Sequence, residues 1–191
     1  MKIPDDHFCP SDQQDWRSWL EENHIQEDFV WMIIYKKSSK KTNLSWSEAV
    51  DEALCFGWID SVKKPIDDEK YKQYFSKRKP QSTWSRVNKE KVDQLIEENK
   101  MTEAGLKCIE VAKKNGSWTI LDSVENLEVP EDLQKAFKEH TGAESYFQDL
   151  SKSDRKIILS WIVMAKRPET RNKRIQETAL MAGKGKKPNK F

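Results

Sequence analysis

The chain has 191 residues, 34 Lys+Arg against 32 Asp+Glu and a mean hydropathy of −0.89; Leu, Ile, Val and Phe supply 40 residues, little above the ~20% below which charged chains stay disordered. Eight Trp, each able to bury about 150–250 Å², and a net charge of only +2 predict a folded protein nonetheless. No window reaches the roughly 18 apolar residues of a membrane helix, and Met1–Pro10 lacks a basic-then-apolar leader, so a soluble, cytoplasmic protein is expected.

Ser11 and Gln14 suggest a capping box, and Trp16, Trp19 and Leu20 follow at helical spacing, predicting a helix over 12–22. Phe29–Lys36 is β-branched, aromatic and almost continuously apolar, the pattern of a strand covered on both faces. Ser45 with Glu48 forms a second capping box, and Val50, Ala53 and Leu54 share one face, so a helix runs from Trp46 to Phe56 with Gly57 ending it. Trp58–Lys64 and Tyr71–Lys77 flank the turn residues Pro65–Glu69 and predict a hairpin.

A helix is expected after Asn88 to about Glu98, and another from Thr102, ended by Gly116. Ser117–Val129 has no helical period and reads as a connection. Four helices follow, over 130–139, 143–150, 151–165 and 168–182. The fold class is therefore α+β: about three antiparallel strands with helices over 1–120, a helical unit over 121–183, and a disordered Lys/Gly/Pro tail over 184–191. Trp46, Trp58 and Trp161 are expected in the core.

Cys9, Cys55 and Cys108 are odd in number and widely spaced, which predicts reduced thiols. With His7, His24 and His140 they form no close ligand pair, so neither metal nor cofactor is expected. Cys55, near a helix C-terminus, reads as an inert buried thiol. Asp60 reads as structural, accepting from Lys63, Ser61 or a backbone N–H, and no partner that would make it a general base is identifiable.

Charge alternates along the chain: residues 1–60 carry 12 acidic and 6 basic side chains, residues 61–91 carry 10 basic and 4 acidic, and the last forty are again basic. In the first basic stretch, Arg78 and Lys79 precede Ser82, Trp84 and Ser85 and a predicted helix start, whose unpaired N–H groups would face the same anion. Lys63 adds a cation, and Trp84 a stacking or packing wall. Arg167 and Arg171 form a second candidate cluster at a helix junction. The same residues also fit a structural role, with Ser82 or Ser85 capping the helix, Trp84 in the core and Arg78 paired with Asp67 or Asp68.

Trp-Ser-Glu-Ala-Val-Asp-Glu-Ala-Leu-Cys-Phe-Gly-Trp-Ile-Asp at 46–60 resembles the YdeI/OmpD-associated, or bacteriocin-protection, family. Tyr71, Phe75, Arg78, Pro80, Ser82, Trp84, Ser85 and Asn88 fit its next motif, Met101-Thr102-x-Ala104-Gly105 a helix start, and Ala165–Arg171 a C-terminal motif. Lys77 stands where proline is usual in that pattern, and Ser61 and Gln81 stand where glycine is frequent.

The resemblance implies bacteriocin or stress protection and, through the family's name, association with an outer-membrane porin; it implies no reaction. The expected function is thus a non-enzymatic protection protein with a surface for an anionic ligand or an acidic protein. An alternative is nucleic-acid binding through Trp84, the 61–91 stretch and the basic tail, against which stands a pI of 8.3. A further alternative is a small-molecule enzyme using Asp60 and Tyr71.

Overall fold

The computed structural model describes residues 7–189. They form two compact units: one comprises the residues up to Ser82 together with Val87–Ser117, the other Thr83–Arg86 together with the chain from Trp118 onward.

The first unit is built on a four-stranded mixed sheet in the order β1-β2-β4-β3. β2 (Phe29–Tyr35) pairs antiparallel with β4 (Lys70–Lys77), which pairs antiparallel with β3 (Trp58–Pro65). These are the three expected strands. A fourth, β1 (His7–Phe8), adds in parallel to β2 through His7↔Trp31 and Phe8↔Met32, and two residues are too few to leave a periodic signal.

Asp67 closes the β3–β4 turn, its Oδ1 accepting from the backbone N–H groups of Glu69 and Lys70, both at 2.9 Å. It is therefore a turn residue and not the partner of Arg78. The strand register slips between Asp60 and Lys63, a bulge in β3.

One face of the sheet is covered by α1 (Gln13–Asn23) and α2 (Trp46–Cys55). Trp16 and Leu20 of α1 and Ala53 and Leu54 of α2 are fully buried with Met32 and Phe75 of the sheet. Trp16 packs on Phe75 at 5.4 Å and donates its indole N–H to the Ala49 carbonyl at 3.0 Å, so this fully buried indole leaves no polar atom unsatisfied. Asp12, rather than Ser11, caps α1 by accepting from Asp15 N–H. The Ser45/Glu48 capping box of α2 is present in both directions.

The opposite face of the sheet departs from expectation. β2 is only partly covered on this side: Val30, Met32 and Ile34 are buried on the other face, whereas here Ile33 is buried, Phe29 is exposed and Trp31 and Tyr35 are half-buried. Their apolarity reflects aromatic surface, which a hydropathy pattern does not distinguish from core.

α3 (Arg86–Glu97) begins three residues before its expected start after Asn88, and α4 (Glu103–Asn115) is capped by Thr102 and ended by Gly116 at φ +81°.

In the second unit a short α5 (Asp122–Glu125) interrupts the expected connection, followed by α6 (Glu131–Lys138), α7 (Ala143–Asp149), α8 (Lys152–Val163) and α9 (Pro168–Ala182). Leu133, Phe137, Phe147, Ile158, Leu159, Ile162, Ile175 and Ala179 form its core.

Two of the tryptophans expected in the core are elsewhere. Trp46, at the start of α2, is 45% exposed. Trp161 lies at the border of the Ile158–Leu159–Ile162 stripe, half-buried, with the Arg174 guanidinium 5.1 Å over its ring. Trp58 is buried as expected.

Residues 184–189 of the expected disordered tail hold fixed contacts. Lys187 pairs with Asp154 at 2.7 Å, Pro188 is buried, and Asn189 N–H donates to Glu177 at 3.1 Å. Specific polar partners anchor a stretch whose composition alone could not order it. Residues 190–191 lie outside the described residues.

Candidate functional site

A groove of about 910 Å³ opens on the first unit. Its construction begins where α2 ends. Gly57 follows the helix at φ +72°, which favours glycine, and a Cβ there would lie 3.2 Å from both the Ala104 carbonyl oxygen and the Cys108 Cβ. Its carbonyl accepts the Arg78 backbone N–H at 2.9 Å, tying the end of β4 to the end of α2.

α4 is brought against the same point by Thr102, whose backbone N–H and hydroxyl both donate to the Cys55 carbonyl, at 3.1 and 2.7 Å. Gly105 completes the approach, because a Cβ there would fall 2.3 Å from that carbonyl oxygen. The first turn of α4 therefore lines the groove through Thr102, Glu103 and Ala104.

The walls are largely apolar, with Ile25, Phe56, Trp58, Pro80 and Val111 among them, and the cations Lys77, Arg78 and Lys107 line it from β4, the segment after it and α4. Arg78 is 92% buried by its 8% exposure, and burial lowers its pKa to about 10, which leaves the guanidinium charged at neutral pH. The Lys77 ammonium is held by Asp28 at 3.0 Å and the Ile25 carbonyl at 2.7 Å. His24 bonds the Leu20 carbonyl through Nδ1 at 2.8 Å and packs on Phe56. Two carboxylates, Glu21 and Glu103, also line the groove, and Glu21 pairs with Arg17 at 3.3 Å.

The Cys108 thiol is pushed up in pKa by burial and pulled down less by Arg78, so it stays protonated. Cys55 is fully buried and raised to about 11 by desolvation.

Of the candidate anion-binding residues Lys63, Arg78, Lys79, Ser82, Trp84, Ser85, Arg167 and Arg171, Arg78 alone lines this groove. Lys63 lies on β3, exposed, with its ammonium 3.9 Å from the Tyr71 ring. Lys79 is exposed, and its carbonyl accepts Ser82 N–H in a turn at 2.9 Å. Trp84 is 1% exposed and packs against Trp118 at 4.9 Å, which makes it core and not a stacking wall. Ser85 immediately precedes α3. The unit boundary falls between Ser82 and Thr83, inside the loop that the sequence offered as one site.

Arg167 is exposed at the start of α9. Arg171 is engaged in a two-pronged pair with Asp132, at 2.8 and 3.0 Å. Asp60 accepts from Trp46 Nε1 at 2.9 Å and Gln73 Nε2 at 3.2 Å, partners other than those expected. Among the described residues no group of three or more His, Cys, Asp or Glu could hold a metal ion, and no helix is long and apolar enough to cross a membrane.

Sequence reasoning weighed His24 and Cys108 only as metal ligands or thiols and did not single out Lys107, and it placed none of the three at this groove. Their contribution depends on α4 docking against α2, and the detectable signal was the pair Gly57 and Gly105, small residues at two close approaches.

Residues 8–108 match the family model described as a domain of unknown function, DUF8412, and residues 126–185 match the model described as Bacteriocin-protection, YdeI or OmpD-Associated. The chain belongs to the DUF8412 family and carries a YdeI/OmpD-associated domain. The YdeI/OmpD-associated match thus lies in the second unit, while the groove lies in the DUF8412 part. No curated protein and no solved structure matches the chain.

Proposed function

We propose that the protein is a non-catalytic binding protein of the bacteriocin-protection type, acting in envelope stress from the cytoplasm. Its groove takes a small molecule with one anionic group and an apolar body. The observation that carries this reading is convergence. Three segments distant in sequence, Phe56–Trp58, Lys77–Pro80 and Thr102–Cys108, supply one groove in which Arg78 and Lys107 meet the first turn of α4 above apolar walls. All three segments lie within the stretch that matches the DUF8412 model.

Chemistry favours binding over reaction. The Cys108 thiol is protonated, the Lys77 ammonium is already bonded, and an arginine cannot act as a base near neutral pH. Two charge-assisted hydrogen bonds at about 1.5–3 kcal/mol each correspond to weak, salt-sensitive binding of an isolated anion near the millimolar range. Apolar contact adds to this at about 25 cal/mol per Å² buried.

Calorimetry with phenyl phosphate, inorganic phosphate and benzyl alcohol tests the reading. Phenyl phosphate is expected to bind more tightly than either of the others and to weaken with salt. Equal affinity for phenyl phosphate and benzyl alcohol would remove the anionic part of the reading, and no binding of any of them would remove the groove. Porin association rests on the family's name and forms no part of this reading.

A further inference from the structure

The sheet face turned away from α1 and α2 is lined by aromatic rings and lysines in register. Across β2 and β4, Phe29 stands opposite Ser76, Trp31 opposite Tyr74 and Ile33 opposite Lys72. Phe29 stacks on Tyr74 at 5.2 Å with 19° between the planes, and Trp31 meets Tyr74 edge-on at 5.0 Å. β1 adds His7, stacked on Trp31 at 6.4 Å, and β3 adds Lys64 opposite Lys72. The ammonium groups of Lys72 and Lys64 lie 4.6 and 5.2 Å from the Trp31 ring centroid, and the Lys72 ammonium is also 2.9 Å from His7 Nε2.

This surface is unusual for a strand pattern so apolar. Phe29 is 41% exposed, and Trp31 and Tyr74 are only partly buried. Three aromatic rings span neighbouring strands, and the cations sit among them on the same face. Lys70, opposite Tyr35, extends the row, with Asp67 a distant 3.9 Å from it.

The geometry points to this outer sheet face as a binding platform for single-stranded nucleic acid. Unpaired bases offer flat π-faces that stack on exposed rings without regard to sequence, and the phosphates between them meet interleaved cations. Charge complementarity selects this occupant: Lys64, Lys70 and Lys72 accompany the rings, while Asp67 is held in the adjoining turn by the Glu69 and Lys70 N–H groups. A duplex hides its base faces and could use only the lysines. An acidic protein segment would use the cations but leave the rings without a role. The platform is separate from the groove, so neither reading depends on the other.

The test is fluorescence anisotropy of a labelled oligothymidylate of about 12 nucleotides, a length within the roughly 4–16 that single OB folds cover. It is run with the full chain at several salt concentrations. Three phosphate contacts predict a log–log salt slope of about −2, from about −0.7 per phosphate on single strands. Lys64→Gln with Lys72→Gln should reduce that slope to about −0.7. Phe29→Ala should weaken binding roughly 5- to 150-fold, the loss of one base stack, at little change in slope.

Phe29 is exposed, so its variant should fold, and far-UV circular dichroism confirms that. The double Gln variant keeps side-chain length and provides a second arm. Binding unchanged in both variants overturns the proposal, as does duplex DNA binding as tightly as the single strand. Equal binding of a polyglutamate of matched charge, insensitive to Phe29→Ala, would assign the face to an acidic protein partner instead. Absence of binding at low salt up to millimolar protein would make the array a structural one.

Discussion

Thr102 donates both its backbone N–H and its hydroxyl to the Cys55 carbonyl, so the start of α4 and the end of α2 share one acceptor. The hydroxyl also accepts weakly from Gly105 N–H at 3.4 Å as the helix cap. Thr102→Val keeps the shape but removes the cap and one bond to a helix-terminal carbonyl. A loss of about 1–2 kcal/mol is expected, read as a Tm lower by about 3–6 °C, with Thr102→Ser close to wild type.

Gly105 offers a test in which the sign reverses. Gly→Ala inside a helix ordinarily stabilises by about 1 kcal/mol. Here the new Cβ would press on the Cys55 carbonyl oxygen and carbon, at 2.3 and 2.8 Å. Gly105→Ala should therefore destabilise, by about 1–3 kcal/mol as overpacking does, and displace α4 from the groove. Chemical denaturation of the two forms measures it.

Glu52 is 3% exposed in α2, and its carboxylate is held by Arg17 at 2.8 Å and Gln13 at 2.7 Å. Removing one partner of such a pair leaves an uncompensated charge. Arg17→Met should cost about 3 kcal/mol, the low end for a buried pair, since Arg17 itself retains 22% exposure. The double variant with Glu52→Gln should recover much of that loss, which a denaturant double-mutant cycle reads directly.

These contacts also show where the sequence was legible. The α1, β2, α2, β3 and β4 elements could be read because capping boxes, turn residues and apolar periods are local signals. Trp46 and Trp161 were misplaced because an indole counts as apolar wherever it lies; its actual position depends on Asp60 in one case and Arg174 in the other. Arg78 lines the groove, whereas Trp84 and Ser85 were grouped with it by proximity along a chain that crosses a unit boundary at that point. Lys107 and Cys108 carried no motif of their own, because only the docking of α4 through Thr102 and Gly105 brings them to the groove.

In the second unit the Arg171 hydrogen bonds hold the Asp132 carboxyl below its ordinary 3.8, against an opposing effect of burial. A carboxyl depressed in the folded state stabilises above the unfolded value and loses that contribution as pH falls through the lower folded value. Stability should therefore decline below about pH 4, and Asp132→Asn should flatten that part of the profile while lowering stability at pH 7. Thermal melts across pH 2–7 check both arms.

The central claim is that the groove between α2, β4 and α4 binds an anionic group, and backbone amide shifts locate that group most directly. Wild type and a Lys107→Glu variant are titrated with phenyl phosphate. The account predicts shifts concentrated at Gly57, Trp58 and Thr102–Cys108, saturating near millimolar ligand or below, and strongly weakened in the variant. Shifts scattered outside those residues, or a variant that responds as wild type does, would contradict it.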